Sequence, residues 1–428
     1  MIKVIGAGLA GSEAAYYLAR HGQRVQLIDM KPAAFTPAHT SENLCELVCS
    51  NSLKSDDVFG NACGLLKEEM RFLGSVTMEA AAFSRVPAGG ALAVDREKFS
   101  AYVTQKLRSH PNIEILSREV DALPDAGIVA TGPLTSGKLY AAIEARYGGA
   151  LHFFDASAPV VSAESIDMAH VFTQDRYGVG TGDYLNCPLD KEEYETFVRE
   201  LVSAERATLH AFEKGEIFEG CMPVEVMAAR GKDTLRFGTF KPVGLFDSEG
   251  RRPYAVLQLR KENVAGTSYG LVGCQTNLKF GEQRRVFGLI PALAHAEYER
   301  YGVMHRNTFL HSPEVLNTDF SARDNPHLFF AGQMTGVEGY VESAASGLLA
   351  AIHLLRRLNG KEPVVPEDTC VCGALSRYVA APNKDFQPMN ANYGILRPLD
   401  VRDKKEKRHL MAERALLEIE RFKGQLNG

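Results

Sequence analysis

Lys3-Val4-Ile5-Gly6-Ala7-Gly8-Leu9-Ala10-Gly11 predicts a strand that runs through a glycine turn into a helix beginning near Ser12. Gly6 permits the tight turn, Gly8 lets the backbone approach a pyrophosphate, and Gly11 lets the helix pack closely on the strand. The positive end of that helix faces the phosphates. Asp29, which follows another apolar run, is expected to accept a hydrogen bond from a ribose hydroxyl. The stretch therefore predicts a dinucleotide cradle, with an ordinary strand-to-helix turn as the alternative.

The length and composition of the chain are typical of a globular protein with several domains. A chain of 428 residues is too long to fold around one hydrophobic core, so two or three domains are expected. Hydrophobic residues make up 45% and charged residues 24%, and no apolar stretch approaches the roughly 20 residues that cross a bilayer. Because Met1-Ile2-Lys3-Val4 leads straight into a strand, no export segment is expected and the predicted compartment is the cytoplasm.

Charge and cysteine usage exclude several kinds of site. The net charge of −5 gives no general attraction for a polyanion, so any nucleic-acid contact must depend on local patches. Neither DNA nor a membrane is an expected partner. The 8 cysteines show neither Cys-x-x-Cys pairs nor histidines at zinc-finger spacing. The sequence therefore predicts no disulfide framework and no metal site.

A second glycine-rich turn lies far along the chain. Leu328–Ala331 predicts a buried strand, and Gly332-Gln333-Met334-Thr335-Gly336-Val337-Glu338-Gly339-Tyr340 follows it before a helix of small residues. The two glycine-rich turns, one near each end of the chain, are both expected to contact a cofactor, and the segment between them has a different pattern. This arrangement predicts an α/β protein. Its Rossmann-like FAD-binding domain is discontinuous, 1–150 and 305–428, with an inserted α+β substrate domain, 151–304. A buried strand-turn-helix without a ligand is the alternative for the second turn.

Other segments give weaker expectations. Ser84–Gly90 is predicted to be a sharp loop, Asp95–Arg108 a helix, and Leu410–Phe422 a helix behind a run of basic residues. The basic run suits either phosphate contacts or a solvated helix face. Because only the first glycine turn has the full dinucleotide spacing, a tightly held FAD is favoured, with a nicotinamide as a visitor.

Five ordered stretches carry the most specific signal. They are Gly6–Glu13, Glu46–Ser52, Val86–Asp95, Phe218–Pro223 and Ala331–Tyr340. Together they resemble the folate- and FAD-dependent tRNA uracil-5-methyltransferase family, and the likeness extends nearly over the whole chain, through Phe386–Asn392. A larger relative that installs carboxymethylaminomethyl groups on wobble uridines is similar at both cofactor ends. That relative has a long additional carboxyl-terminal helical region, so this chain is expected to be too short for its role.

The resemblance implies a reaction. Reduced FAD takes a one-carbon unit from 5,10-methylenetetrahydrofolate and presents it to uracil C5 in the T loop of tRNA, with NADPH or NADH as reductant, giving ribothymidine. Uracil C5 is a poor nucleophile, so a thiolate must add at C6 to activate it. A proton acceptor must then take the C5 proton.

The motif match also implies roles for individual residues. Cys221 is favoured as the C6 nucleophile and Cys49 is placed near the flavin, but the two roles are exchangeable because sequence does not reveal thiol pKa. The expected cofactor-binding residues are Gly6, Ala7, Gly8, Leu9, Ala10, Gly11, Asp29, Gly332, Gln333 and Tyr340. The Tyr340 ring is expected to stack on flavin, folate or a flipped uracil.

Three other functions remain open at this point. The same chemistry on ribosomal RNA would share every reactive residue. A small-molecule FAD oxidoreductase differs by transferring no carbon from folate to uracil. A flavin-containing RNA-binding or folding module without turnover would keep its role after replacement of both Cys49 and Cys221, and the two cysteine motifs argue against it.

Overall fold

The structure is a computed structural model that describes residues 1–36, 38–148, 151–178, 180–207, 216–217, 222–247 and 249–427. Both ends of the chain contain strands and α-helices, and longer antiparallel strands occupy the middle. The strands are β1 Ile2–Ile5, β2 Val25–Asp29, β3 Ser52–Ser55, β4 Arg85–Val86, β5 Ala91–Val94, β6 Ile113–Ser117, β7 Gly127–Val129, β8 Leu151–Ala156, β9 Val160–Ser162, β10 Phe172–Thr173, β11 Tyr184–Leu189, β12 Glu216–Ile217, β13 Ala255–Lys261, β14 Ser268–Leu271, β15 Tyr298–Arg300, β16 Met304–Phe309, β17 Ser321–Ala322 and β18 Asn325–Phe330. The α-helices are α1 Leu9–Arg20, α2 Ala62–Phe72, α3 Val76–Phe83, α4 Arg96–Arg108, α5 Gly137–Tyr147, α6 Lys191–Ser203, α7 Val224–Ala229, α8 Thr234–Phe237, α9 Phe280–Phe287, α10 Ser312–Val315, α11 Tyr340–Leu358, α12 Val371–Ala380 and α13 Lys404–Asn427.

A six-stranded sheet in the order β17-β18-β7-β1-β2-β6 forms the first layer. All of its pairs are parallel except β17 with β18. Since β1, β2, β6 and β7 come from the start of the chain and β17 and β18 from beyond residue 320, the sheet is assembled from two distant segments. The predicted α/β, Rossmann-like fold with a discontinuous nucleotide-binding part is confirmed.

Helices α1 and α11 cross each other closely beside this sheet. A Cβ placed on Gly347 of α11 would lie 2.1 Å from the Ala10 carbonyl oxygen of α1, so only glycine allows that approach. A Cβ on Gly11 would lie 1.8 Å from the Gly6 carbonyl oxygen, where β1 turns into α1. Two glycines therefore fix how the first and last nucleotide-binding helices sit against each other and against β1.

The middle of the chain forms a second six-stranded sheet, in the order β10-β11-β13-β14-β9-β15. All of its pairs are antiparallel. It has its own apolar core with α6, α7 and α9, in which Phe197, Phe240 and Phe287 are fully buried. This core is separate from the larger one around the parallel sheet.

A three-stranded sheet joins the two regions where the chain passes from one to the other. Its order is β12-β8-β16, and β8 pairs with β16 antiparallel from Ala156 opposite Met304 to Leu151 opposite Phe309. The strands on either side of the predicted insertion are thus neighbours. The domain boundaries at 150/151 and 304/305 stay a prediction.

The structure tests the predictions made for individual helices and loops. Helix α4 begins at Arg96 with Asp95 as its cap, and the predicted helix 410–422 lies inside α13. Of the sharp loop predicted over Ser84–Gly90, residues 87–90 form the turn between β4 and β5, but Arg85 and Val86 are strand residues that pair with Val94 and Ala93. Within the described ranges no helix has the length and apolar character needed to span a bilayer.

Candidate active site

A cleft opens at the carboxyl ends of the parallel strands, where doubly wound sheets bind their ligands. Of the ten residues expected to contact a cofactor, all but Gly11 line it. Gly11 instead faces the turn at Gly6 and acts through helix-to-strand packing. The residues of this set that line the cleft are Gly6, Ala7, Gly8, Leu9, Ala10, Asp29, Gly332, Gln333 and Tyr340.

The glycine turn presents backbone rather than side chains to the cleft. Gly6 has φ +93°, in the region that glycine tolerates, and Gly8 is the N-cap of α1 without a side chain to satisfy the first helical N–H groups. A Cβ on Gly8 would meet nothing within 4 Å, so the space in front of the helix end is open. An open, uncapped helix amino end of this kind suits a pyrophosphate.

Asp29 lies at the end of β2 beside this turn. Its carboxylate accepts the backbone N–H of Ala7 at 2.7 Å and that of Lys31 at 2.9 Å, so both oxygens have a fixed position. Each oxygen keeps a further lone pair for a ribose hydroxyl. The carboxylate is thus bonded to the glycine turn and can still accept a hydrogen bond from a ligand hydroxyl.

The second glycine turn approaches the same cleft from β18. The Gly332 N–H donates to the Ser346 hydroxyl at 2.7 Å, and the Gln333 side-chain amide donates to Glu338 at 2.5 Å. These bonds hold the turn that precedes α11, whose first residue is Tyr340. The two glycine turns, more than 300 residues apart, therefore line one cleft.

Residues 46–52, called the thiol loop below, contribute Glu46 and Val48 to the lining of the cleft and carry Cys49. The Tyr340 hydroxyl accepts the backbone N–H groups of Cys49 at 2.6 Å and of Ser50 at 3.2 Å. Burial and the nearby Cys49 raise the pKa of the Tyr340 phenol, so it stays protonated at neutral pH. Cys49 is therefore held next to a residue that lines the cleft.

Arginines from the antiparallel sheet reach across to the thiol loop. Arg260 of β13 donates to the Ser50 hydroxyl and to the Asn51 side-chain oxygen, both at 2.9 Å. Arg300 of β15 donates to the Val48 carbonyl at 2.8 Å. Residues on both sides of Cys49 are thus bonded to the middle region of the chain.

A third arginine, from the region of the parallel sheet, also bonds the thiol loop. Arg96 of α4 donates to the Leu47 carbonyl at 2.9 Å and to Glu262 at 2.7 Å. Burial and the positive charge of Arg96 lower the pKa of Arg300. The loop that carries the thiol therefore has three half-buried arginines beside it, one of which, Arg96, is paired with Glu262.

Cys221 lies outside the described residues, but the segment that follows it is placed. The Val224 N–H donates to the Gln275 carbonyl at 2.7 Å, and the next residue along, Thr276, donates to the Ser157 carbonyl at 3.2 Å. Ser157 follows Ala156, whose carbonyl oxygen lies 3.9 Å from the Cys49 sulfur. Val224, in the described segment that follows Cys221, is therefore linked to the surroundings of Cys49 through residues 275–276 and through Ser157.

The other cysteines are packing residues. Cys45, Cys63, Cys187, Cys274, Cys370 and Cys372 are all buried. Burial raises the thiol pKa of each, to about 11 for Cys63. A thiol with so high a pKa is uncharged at neutral pH and is a poor nucleophile.

Sequence reasoning missed the residues that hold the thiol loop. Arg260 and Arg300 lie in ordinary-looking strands, and Arg96 lies in the first turn of a helix, without a motif to mark them. Lys31 is another case: its buried ammonium forms an ion pair with Glu46 at 3.2 Å. Only the close position of Lys31 after Asp29 could have drawn attention to it.

Comparison with known proteins gives a consistent result. The family described as Glucose inhibited division protein A matches residues 1–362. "Methylenetetrahydrofolate--tRNA-(uracil-5-)-methyltransferase TrmFO" of Moorella thermoacetica is 55% identical over 432 residues, covering 99% of this chain and 98% of the relative. The protein of the same name from Desulfitobacterium hafniense is 56% identical over 430 residues, with the same coverage of both.

The solved structure of GidA from Aquifex aeolicus has the same overall fold. It superposes with a TM-score of 0.73 at 16% identity, covering 99% of this chain and 73% of that one. At this identity the likeness concerns the fold alone.

Proposed function

Because the chain belongs to the methylenetetrahydrofolate–tRNA-(uracil-5-)-methyltransferase family, we propose that it methylates uracil C5 in the T loop of tRNA, giving ribothymidine. The carbon comes from 5,10-methylenetetrahydrofolate and the electrons from NADPH or NADH. The observation that carries the proposal is the hydrogen bond from the Cys49 N–H to the hydroxyl of Tyr340, a residue that lines the cleft at the glycine turns. A thiol beside such a cleft suits uracil chemistry that depends on a redox cofactor.

FAD is the cofactor that the cleft suits. The open helix end at Gly8 takes the pyrophosphate and Asp29 takes the ribose, while Gly332, Gln333 and Tyr340 line the same cleft and Tyr340 also bonds the thiol loop. When bound, FAD supplies the route by which a one-carbon unit and two electrons reach uracil C5. The remaining steps fall to side chains of this chain.

The two cysteines have separate tasks in this scheme. The Cys221 thiolate adds to uracil C6, and the electron pair displaced to C5 forms the bond to the one-carbon unit. The C5 proton is then lost to a base, and the returning electron pair expels the Cys221 sulfur. Two electrons from NADPH or NADH reduce the carbon on C5 to a methyl group as its bond to the carrier breaks. Cys49, held on the flavin side by Tyr340, is assigned to protection of the one-carbon carrier or to removal of that proton.

The antiparallel-sheet region is proposed as the substrate domain, 151–304, inserted between the two parts of the FAD-binding domain, 1–150 and 305–428. Its arginines Arg260 and Arg300 support this division, because they reach the thiol loop from the side away from the parallel sheet. The target uridine must leave its stack to reach the cleft, at a cost of a few kcal/mol. The cytoplasm, where tRNA and reduced nicotinamides are available, is the proposed compartment.

The test follows labelled carbon from methylenetetrahydrofolate into unmodified tRNA and, in parallel, into ribosomal RNA. The wild-type protein is expected to label the T-loop uridine of tRNA, Cys221→Ala to lose the label, and Cys187→Ala, a buried control, to retain it. Label in ribosomal RNA alone would change the substrate but not the chemistry. A protein that holds reducible FAD and labels neither RNA would be a small-molecule oxidoreductase instead.

A further inference from the structure

Three aromatic rings form a column on the antiparallel-sheet region. Tyr301 lies in the middle, with its ring centroid 4.5 Å from that of Phe280 and 5.1 Å from that of Tyr298. The interplanar angles are 17° and 3°, so the three rings are stacked face to face. Phe280, the first residue of α9, is 53% exposed and leaves the end of the column open to solvent.

A cation accompanies this column. The Arg284 guanidinium lies 5.3 Å from the centroid of the Tyr301 ring, one helical turn after Phe280. Arg284 is exposed and forms no ion pair within the part of the chain that the structure describes, whereas its neighbour Arg285 is held by Glu282 and Glu200. An open ring face beside an uncompensated guanidinium suits an aromatic ligand that carries negative charge.

The column is connected to the thiol loop on one side. Tyr301 directly follows Arg300, whose guanidinium bonds the Val48 carbonyl next to Cys49. On the other side, Phe280 follows the segment of Gln275 and Thr276, to which Val224 and Ser157 are bonded. The column is therefore linked through neighbouring residues to the thiol loop and to Val224, which lies in the described segment that follows Cys221.

We propose that Phe280, Tyr301 and Arg284 form a stacking platform for a single unstacked nucleotide of the RNA substrate, next to the uridine that reacts. Phe280 takes the base, and Arg284 lies where it meets the adjoining phosphate. RNA is favoured over the folate ring system because the open ring and the cation lie on the exposed surface rather than in the cleft. The inference rests on the proposed function, since it assigns a surface to the same substrate.

The experiment measures KM for tRNA and KM for methylenetetrahydrofolate with FAD-loaded protein. Phe280→Ala is expected to raise KM for tRNA about tenfold, the scale of one lost base stack. KM for folate and the flavin content are expected to stay unchanged. Phe280→Trp, which keeps a stacking surface, is expected to retain the wild-type KM, and Arg284→Gln to raise KM for tRNA severalfold.

Two matched controls come from the parallel-sheet region. Phe83 is 64% exposed at the end of α3, and Arg146 lies 5.3 Å from the Tyr147 ring centroid. Phe83→Ala and Arg146→Gln are expected to leave KM for tRNA unchanged. An unchanged KM in Phe280→Ala, or a rise in KM for folate instead, would overturn the platform.

Direct binding of a T-arm hairpin separates this inference from the proposed function. If the wild-type protein binds the hairpin but transfers no carbon, the proposed reaction fails, and weaker hairpin binding by Phe280→Ala still supports the platform. If the wild-type protein transfers carbon and Phe280→Ala binds the hairpin equally well, the platform alone fails. A wild-type protein that does not bind the hairpin overturns both.

Discussion

The two ends of the cleft are built in different ways. At the pyrophosphate end, the turn Gly6–Gly11 and Asp29 lie within thirty residues of one another and act mainly through backbone groups. At the thiol end, Cys49 is positioned by the Tyr340 hydroxyl, while Arg260 and Arg300 bond its neighbours from another sheet. The first end is a local motif, and the second is an assembly of distant side chains.

One cleft thus serves both cofactor binding and carbon transfer, and the two properties are expected to depend on different residues. Cofactor binding, as proposed, depends on Gly6 and Gly11, where a Cβ would collide with backbone, and on the open space in front of Gly8. Carbon transfer, as proposed, depends on the hydrogen bonds that Tyr340, Arg260 and Arg300 make to the thiol loop. Substitutions at the two ends should therefore fail in different ways, and the predictions below use that contrast.

The largest effect is expected for Gly11→Ala at the pyrophosphate end. Its Cβ would lie 1.8 Å from the Gly6 carbonyl oxygen, so α1 must move away from β1. A backbone collision of this kind costs about 3 kcal/mol of folding free energy, and the displaced turn should lose FAD. Thermal unfolding and flavin absorbance measure both effects. Gly137→Ala is the control, because its Cβ would meet nothing within 4 Å.

The next largest effect is expected for Tyr340→Phe, which changes a contact at the thiol end. It removes the acceptor for the N–H groups of Cys49 and Ser50, and leaving two such groups unpaired costs about 2 kcal/mol. Label transfer should fall at least tenfold while FAD remains bound. Tyr393→Phe, which removes a single hydrogen bond to the Phe59 carbonyl, should change neither quantity. Full transfer activity in Tyr340→Phe would show that the thiol loop does not depend on this phenol.

Arg260→Lys tests the support from the antiparallel sheet. Lysine keeps the charge but not the planar group that reaches the Ser50 and Asn51 side chains together. We expect label transfer to fall about tenfold, in kcat rather than in KM for tRNA, with flavin content unchanged. A loss confined to KM for tRNA would make Arg260 an RNA contact instead.

The smallest effect is expected for Asp29→Asn. The amide keeps one oxygen for the Ala7 or Lys31 N–H but loses the charge and the second acceptor that favour a ribose hydroxyl. FAD affinity should fall about fivefold, about 1 kcal/mol, as measured by flavin titration of the apoprotein. Carbon transfer at saturating FAD should be unchanged, and a lower rate there would link the two ends of the cleft.

The extent to which the sequence predicts the cleft follows the same contrast. The turn Gly6–Gly11, Asp29 and the second turn at Gly332 were predictable because each lies at a fixed spacing from a strand and a helix. The α/β fold followed from them. The close approach of Ala10 to Gly347 was not predictable, because it depends on how two helices far apart in the sequence cross each other.

The thiol end was predictable only in part. Resemblance to a family marked Cys49 and Tyr340, but no spacing predicts that residues 291 positions apart share a hydrogen bond. Arg260 and Arg300 lie in strands whose pattern reports burial, not what the outward side chains reach. The aromatic column was not predictable either, because it joins Phe280 at the start of α9 to Tyr298 at the start of β15 and to Tyr301 directly after the end of β15.

The most direct test measures flavin content and label transfer on the same preparations of Cys49→Ala and Gly11→Ala. Cys49→Ala is expected to retain FAD in full and to lose carbon transfer by at least 100-fold, about 2.7 kcal/mol, whereas Gly11→Ala is expected to lose FAD. If Cys49→Ala loses FAD as well, or keeps wild-type transfer with FAD bound, the division of the cleft into a cofactor-binding end and a reactive thiol end is contradicted.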